Sequence, residues 1–201
     1  MSRIMRGSIL QNEIKISDSE LSARLSLPVT SFPEGLDEIK KSILDASDVK
    51  FVATRIGILE NDGGRILFEN GLSVSSEALS KYLIGSDEVI LFIMTLGAGV
   101  DRLITRKGCI SLSDGFIYDG VASAVAEGAC DAVEARLTEN LRFKNRFSPG
   151  YSDCPLKMQR DIFDLLPADK YIGVKLLDGD LMSPMKSVSA FIALVSDKEK
   201  K

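Results

Sequence analysis

The residues whose types and spacing could do chemistry gather in the run Arg146-Phe147-Ser148-Pro149-Gly150-Tyr151. Pro149 fixes φ at the second position of a turn, and Gly150 accepts the positive φ that the third position of a type II turn requires. Arg146 is a permanently charged planar fork suited to a carboxylate, and Tyr151 offers a flat face with a hydroxyl at its end. By itself the pattern reads either as an ordinary loop or as a polar clamp on a rigid bend. Arg142, Lys144, Arg146, Lys157 and Arg160 make the surroundings basic although the whole chain carries a net charge of −4. Such a patch is either solvated surface or a seat for an acidic ligand or partner.

Composition excludes several other chemistries. The chain has no histidine, which removes Ser-His-Asp and Cys-His nucleophiles, imidazole metal sites and imidazole acid-base catalysis. Cys109, Cys130 and Cys154 are odd in number and widely spaced, so reduced thiols are expected rather than a disulfide framework or a zinc site. Cys154 stands near a helix start, where a thiol pKa can fall, but with no histidine to activate it a packing role is expected. Gly97-Ala98-Gly99 follows a strand pattern, yet Arg102 occupies the place of the third glycine of a dinucleotide fingerprint.

The negative balance offers no general attraction to nucleic acid or to anionic membranes. The longest apolar run, Val89 to Met94, is far short of the roughly 20 residues that cross a bilayer. No hydrophobic block follows Met1 to Arg6 to act as a secretory signal. A cytoplasmic protein with neither nucleic acid nor membrane as partner is expected. With 201 residues, 45% of them hydrophobic, the chain can bury one substantial core, and its length favours one domain.

The elements that must position the Arg146 to Tyr151 run follow from local patterns. Partial alternation over Ile9 to Ile16 predicts a strand, and Ser17-Asp18-Ser19-Glu20 a helix start. Leu36, Ile39, Ile43 and Leu44 predict a second helix, and the β-branched run Val49 to Leu59 a strand. Asn61-Asp62-Gly63-Gly64 predicts a hairpin turn. Ser75-Ser76 starts and Gly85 stops a short helix, Val89 to Thr95 is a buried strand, and a short helix follows Gly99. The longest helix is expected from about Asp114 to Leu141. Its Val121, Ala124, Val125, Gly128, Ala129 and Ala132 face the core, and Ser123, Glu127, Asp131 and Glu134 form an acidic stripe on its wet side. A helix over Pro155 to Leu166 halts at Pro167, Ile172 to Leu177 is a strand, and Ser187 to Val195 closes the sheet ahead of a frayed Lys198 to Lys201 tail. These patterns predict a single α+β domain over 1–201, a mainly antiparallel sheet packed with helices.

The run Arg-x-x-Pro-Gly-Tyr-x-x-Cys-Pro over Arg146 to Pro155 is followed by a helix ending in Leu165-Leu166, then Ile172-Gly173-Val174-Lys175-Leu176, Pro184 and Ser187-Val188-Ser189. This succession resembles the activation (reactivation) domain of cobalamin-dependent methionine synthase. The close likeness spans roughly 146 to 190, with weaker similarity over Val89 to Gly97 and Val121 to Leu137, and a motif core over 121–195. Phe147-Ser148 and Ser152-Asp153 stand where some relatives carry Pro-Ala, and no counterpart of an N-terminal acidic ligand contact is evident.

The resemblance implies a module that binds S-adenosylmethionine and presents its methyl group to cobalamin held by a partner protein. It implies a free-standing activator serving, in trans, a methionine synthase that lacks its own activation domain, with a flavodoxin-like or other electron donor. By the same resemblance Arg146 binds the ligand's polar groups, Ser148 and Gly150 belong to the motif backbone around the adenine, Tyr151 packs against the ligand, and Glu127 faces the positively charged methionine end. The alternatives are an adaptor that docks on a corrinoid protein without a ligand site of its own, and a small methyltransferase acting without corrinoid.

Overall fold

The computed structural model describes residues 3–195. In chain order the elements are β1 Ile4–Ser8, α1 Asp18–Leu25, α2 Leu36–Ala46, β2 Lys50–Asn61, β3 Arg65–Phe68, β4 Ser73–Ser75, α3 Glu77–Leu83, β5 Ser86–Thr95, α4 Ala98–Ile110, α5 Leu112–Leu137, α6 Met158–Leu165, α7 Ala168–Ile172, β6 Lys175–Leu176, β7 Met182–Ser183 and β8 Ser187–Val195. The main sheet runs β4-β3-β2-β5-β8, with β1 also on β2, and every pairing in it is antiparallel.

Side chains alternate across a strand, so each face of this sheet carries its own core. Phe51, Ala53, Ile90, Phe92, Met94, Ala190, Ile192 and Leu194 meet α1, α2, α4 and α5. Val52, Val89, Leu91, Ile93, Phe191 and Ala193 point the other way, to α3, α6 and α7. Because β5 is covered on both faces, it reads as an unbroken apolar run rather than an alternating one. Together the three layers match the expected α+β architecture.

Local chemistry sets the element ends. Ser17 Oγ accepts from Glu20 N at the start of α1, and Ser76 Oγ from Leu79 N at the start of α3. At the β2–β3 turn Gly63 adopts φ +98°, while Asp62 Oδ1 accepts from Gly64 N at 3.0 Å and Arg65 N at 2.7 Å.

Four expectations are corrected. The first strand is residues 4–8, and Ile9 to Ile16 leaves the ladder because Leu10 N donates to Glu13 Oε2 in a tight 3₁₀ turn. Helix α4 is long, at 13 residues. Helix α6 begins only at Met158, after a turn closed by Met158 N to Pro155 O. Pro167 opens α7 rather than ending the helical region, so only Lys175 and Leu176 of the expected 172–177 strand are extended, paired with β7 in a separate two-stranded ribbon. The expected Lys198 to Lys201 tail lies outside the described residues. Among the described residues no helix is long and apolar enough to cross a membrane.

After α5 the chain returns along the free edge of β8. Val195 N donates to Arg142 O, Lys144 N to Ala193 O, and Phe147 and Phe191 exchange both backbone bonds. The segment leading into the Pro-Gly turn is thereby fixed to the sheet.

Candidate functional site

Extended backbone turns successive side chains to opposite sides, and this splits the Arg146 to Tyr151 run between two layers. Arg146 faces α5, whereas Phe147 enters the opposite core. The Arg146 guanidinium, with 20% of its side chain exposed, pairs with three acids one turn apart on α5. Nη2 donates to Glu127 Oε2, Nη1 donates to Asp131 Oδ1 at 2.6 Å, and Glu134 Oε1 lies 3.2 Å from Nη1. Spacings of four and three residues put these carboxylates on one helical face. This corrects the acidic stripe expected on the wet side of the helix: Glu134 is only 8% exposed, and the stripe is the wall against which Arg146 packs. Burial pushes the Glu134 carboxyl above its ordinary range, with the Arg146 charge opposing that shift.

Glu127 is shared. Its Oε1 accepts from Arg24 Nη2 at 2.8 Å, and Arg24 Nε also donates to Glu20 at 2.6 Å within α1. The N-terminal third therefore reaches the site, although no contact from it was evident in the sequence. Its one local signal is the i, i+4 spacing of Glu20 and Arg24; the link from Arg24 to Glu127 crosses 103 residues. Close approach is possible because residue 128 is glycine: a Cβ there would come within 2.3 Å of Lys15 O.

Two clefts adjoin this network and share Asp131 and Arg146. One, about 390 Å³, is lined by Asp131, Glu134, Asn145 and Arg146. The other, about 380 Å³, lies between residues 15–20 and the Glu127 to Asp131 stretch of α5. A larger cavity of about 730 Å³ lies elsewhere, between β4 and the start of α6. Its Arg160 is held by Asp180 at 2.5 Å, so two of the expected basic residues, Arg160 and Arg146, neutralise acids of the protein itself. Lys144 caps α3, donating to Tyr82 O at 2.9 Å and Ile84 O at 2.5 Å. The basic patch is thus largely used internally.

The turn forms as its residues dictate. Tyr151 N donates to Ser148 O at 3.3 Å, and Gly150 has φ +86°. Ser148 is half-buried, Gly150 exposed, and the Tyr151 ring 68% exposed. Tyr151 stands edge-on to Phe147, their centroids 5.7 Å apart, and Phe147 packs on Tyr82 at 5.3 Å. Sequence reasoning also missed Asp153. Its carboxylate accepts from Ser76 Oγ at 2.8 Å, Glu77 N at 2.6 Å and Ala78 N at 3.1 Å, tying the turn to the N-terminus of α3. The Ser76 hydroxyl and these two amides hold its carboxyl below the usual range. Cys154 is buried, and burial pushes its thiol up to about 11, so it is a packed thiol rather than a nucleophile. The structure therefore brings Arg146 together with Glu127, and sets Ser148, Gly150 and Tyr151 on the adjoining turn.

Residues 115–199 match the family model described as vitamin B12 dependent methionine synthase, activation domain. Among solved structures, the crystal structure of the MetH reactivation domain bound to AdoHcy superposes with a TM-score of 0.71 at 16% identity, covering 99% of this chain and 80% of that one. No curated protein sequence matches. At that identity the structural likeness establishes the fold, while the family match falls on α5, the Arg146 segment and the Pro-Gly turn. Residues 115–199 are thus similar to the vitamin B12 dependent methionine synthase activation domain, and as a whole the chain carries the fold of the reactivation domain.

Proposed function

We propose that this chain binds S-adenosylmethionine at the Arg146 network and supports, in trans, the reductive methylation of cobalamin held by a methionine synthase without its own activation domain. The observation that carries the proposal is a guanidinium fixed beside two clefts by an excess of carboxylates. Among the described residues, Glu20, Glu127, Asp131 and Glu134 form ion pairs with Arg24 and Arg146, four acids on two bases.

The donor set fits the ligand. S-adenosylmethionine carries a carboxylate, an ammonium and a sulfonium, and so needs a fixed cation together with nearby acids. Glu134 Oε1 is buried without an aligned hydrogen bond, which leaves acceptor capacity at the wall of one cleft. Arg146 receives the ligand's carboxylate, and Glu127 with Asp131 faces its positive end. Ser148 and Gly150 offer turn backbone to the adenine, and the exposed Tyr151 ring packs on it. When bound, the ligand supplies a methyl group already activated by the sulfonium; the protein's part is to orient it and to shield its charge. The cobalamin belongs to the partner, and the electron comes from a flavodoxin-like or other reductant. AdoHcy, the molecule bound to the MetH reactivation domain, is the demethylated form of the proposed ligand.

The test is to mix the chain with a truncated methionine synthase in the cob(II)alamin state, S-adenosylmethionine and a one-electron reductant. Methylcobalamin should return only when all four are present. A second reading, a docking adaptor without a ligand site, draws on the fact that Arg146 already has carboxylate partners. It predicts partner binding with no dependence on S-adenosylmethionine.

A further inference from the structure

The segment that carries Arg146 is not paired regularly with β8. Phe143 stands opposite Leu194 and Phe147 opposite Phe191, so four steps on one side cover three on the other. One residue is extra, and such a bulge leaves ladder groups without a backbone partner. The gap is closed by a side chain from another element. The Tyr82 hydroxyl, on α3, accepts from Ala193 N at 2.8 Å and donates to Phe191 O at 3.2 Å. Its ring packs against Phe147, the residue next to Arg146, and its own carbonyl accepts from Lys144 Nζ.

We propose that Tyr82 is a positioning residue for the ligand site: by filling the bulge opposite β8 it sets where Arg146 meets the α5 carboxylates and where Tyr151 stands beside Phe147. This rests on the function proposed above. Two contacts from Tyr82 reach the 143–147 segment, the ring on Phe147 and the backbone carbonyl under Lys144, while its hydroxyl holds the facing β8 backbone at Phe191 and Ala193. Burial raises the phenol to about 12, so it stays protonated and able both to donate and to accept at neutral pH. Small displacements matter here because a charged fork loses its geometry within a fraction of an ångström.

Tyr82→Phe deletes the hydroxyl and keeps the ring. Calorimetry should show S-adenosylmethionine binding weakened about tenfold, the order expected when a binding group is mispositioned. Ile66→Val, in the same core layer on β3, is the control for stability loss without a role at the site; it should bind within about twofold of wild type. Equal affinity in Tyr82→Phe, or an equal loss in Ile66→Val, overturns the positioning role while the ligand assignment stands. Failure of the wild type to bind instead overturns the functional proposal and this one with it. Should Tyr82→Phe not fold, hydrogen exchange on the wild type decides. Saturating ligand must slow exchange of the Ala193 amide, whose acceptor is Tyr82 Oη, by about tenfold or more. An unchanged rate overturns the proposal.

Discussion

The two sides of the segment Arg146–Phe147 use carboxylates in opposite ways. On the α5 side, Glu134 is buried beside Arg146, and burial holds its carboxyl above the ordinary range. On the α3 side, Asp153 is exposed, and hydrogen bonds from Ser76 Oγ, Ala78 N and Glu77 N hold its carboxyl below that range. The first is a partly buried cluster of acids around one guanidinium; the second is a helix cap that anchors a turn. The difference teaches that the Arg146 segment is anchored on one side by a satisfied helix cap, while its other side packs against more acids than bases.

Glycine substitutions break this comparison hardest. Gly128→Val on the α5 side drives a Cβ to 2.3 Å from Lys15 O and should cost about 3 kcal/mol in chemical denaturation, since overpacking against backbone has no easy relief. Gly150→Ala in the turn meets only the Leu156 side chain at 3.2 Å but must hold φ +86°, so its cost should be nearer about 1 kcal/mol. Equal costs would show that the two sides are not built to different tolerances.

Next in size is Arg146→Ala. It leaves the buried Glu134 and the more exposed Glu127 and Asp131 without the Arg146 cation. After allowance for solvent screening, the loss should be about 2 kcal/mol in urea unfolding. A stability equal to wild type would mean that the acids do not need this cation. The carboxylate partners of Arg146 lie 12 to 19 positions back, and only the fold shows that they meet.

The smallest effects are in pH dependence, and they differ in sign. Glu134 titrates above its ordinary 4.5 in the folded protein, so its contribution to stability is present below pH 4.5 and is lost as pH rises through the folded value. Asp153 titrates below 3.8, so its contribution is present above pH 3.8 and is lost as pH falls through the folded value. Unfolding midpoints should therefore flatten above pH 4.5 in Glu134→Gln and below pH 3.8 in Asp153→Asn. Two variants with the same change in profile would erase the distinction drawn between the regions.

Elements whose ends are written in adjacent residues were legible. The Ser17 and Ser76 caps, the Asn61 to Gly64 turn and the alternation of β8 each have a local cause. Helix α7 was not legible: Ala168 to Ile172 is too short to show a helical period, and Pro167 serves equally as a stop or as a helix start. Of the site, the Pro-Gly turn and Arg146 could be read as a pattern. The roles of Arg24, Asp153 and Tyr82 could not, because each acts across a sequence gap through tertiary contact.

The central claim is that Arg146 and its acids form a seat for S-adenosylmethionine. Titrating the ligand by calorimetry into wild type and Arg146→Ala tests it directly. The account predicts saturable binding that weakens by about 1.5 to 3 kcal/mol in the variant, the usual worth of a charge-assisted hydrogen bond. Indistinguishable affinities, or no heat with wild type at millimolar ligand, would contradict it.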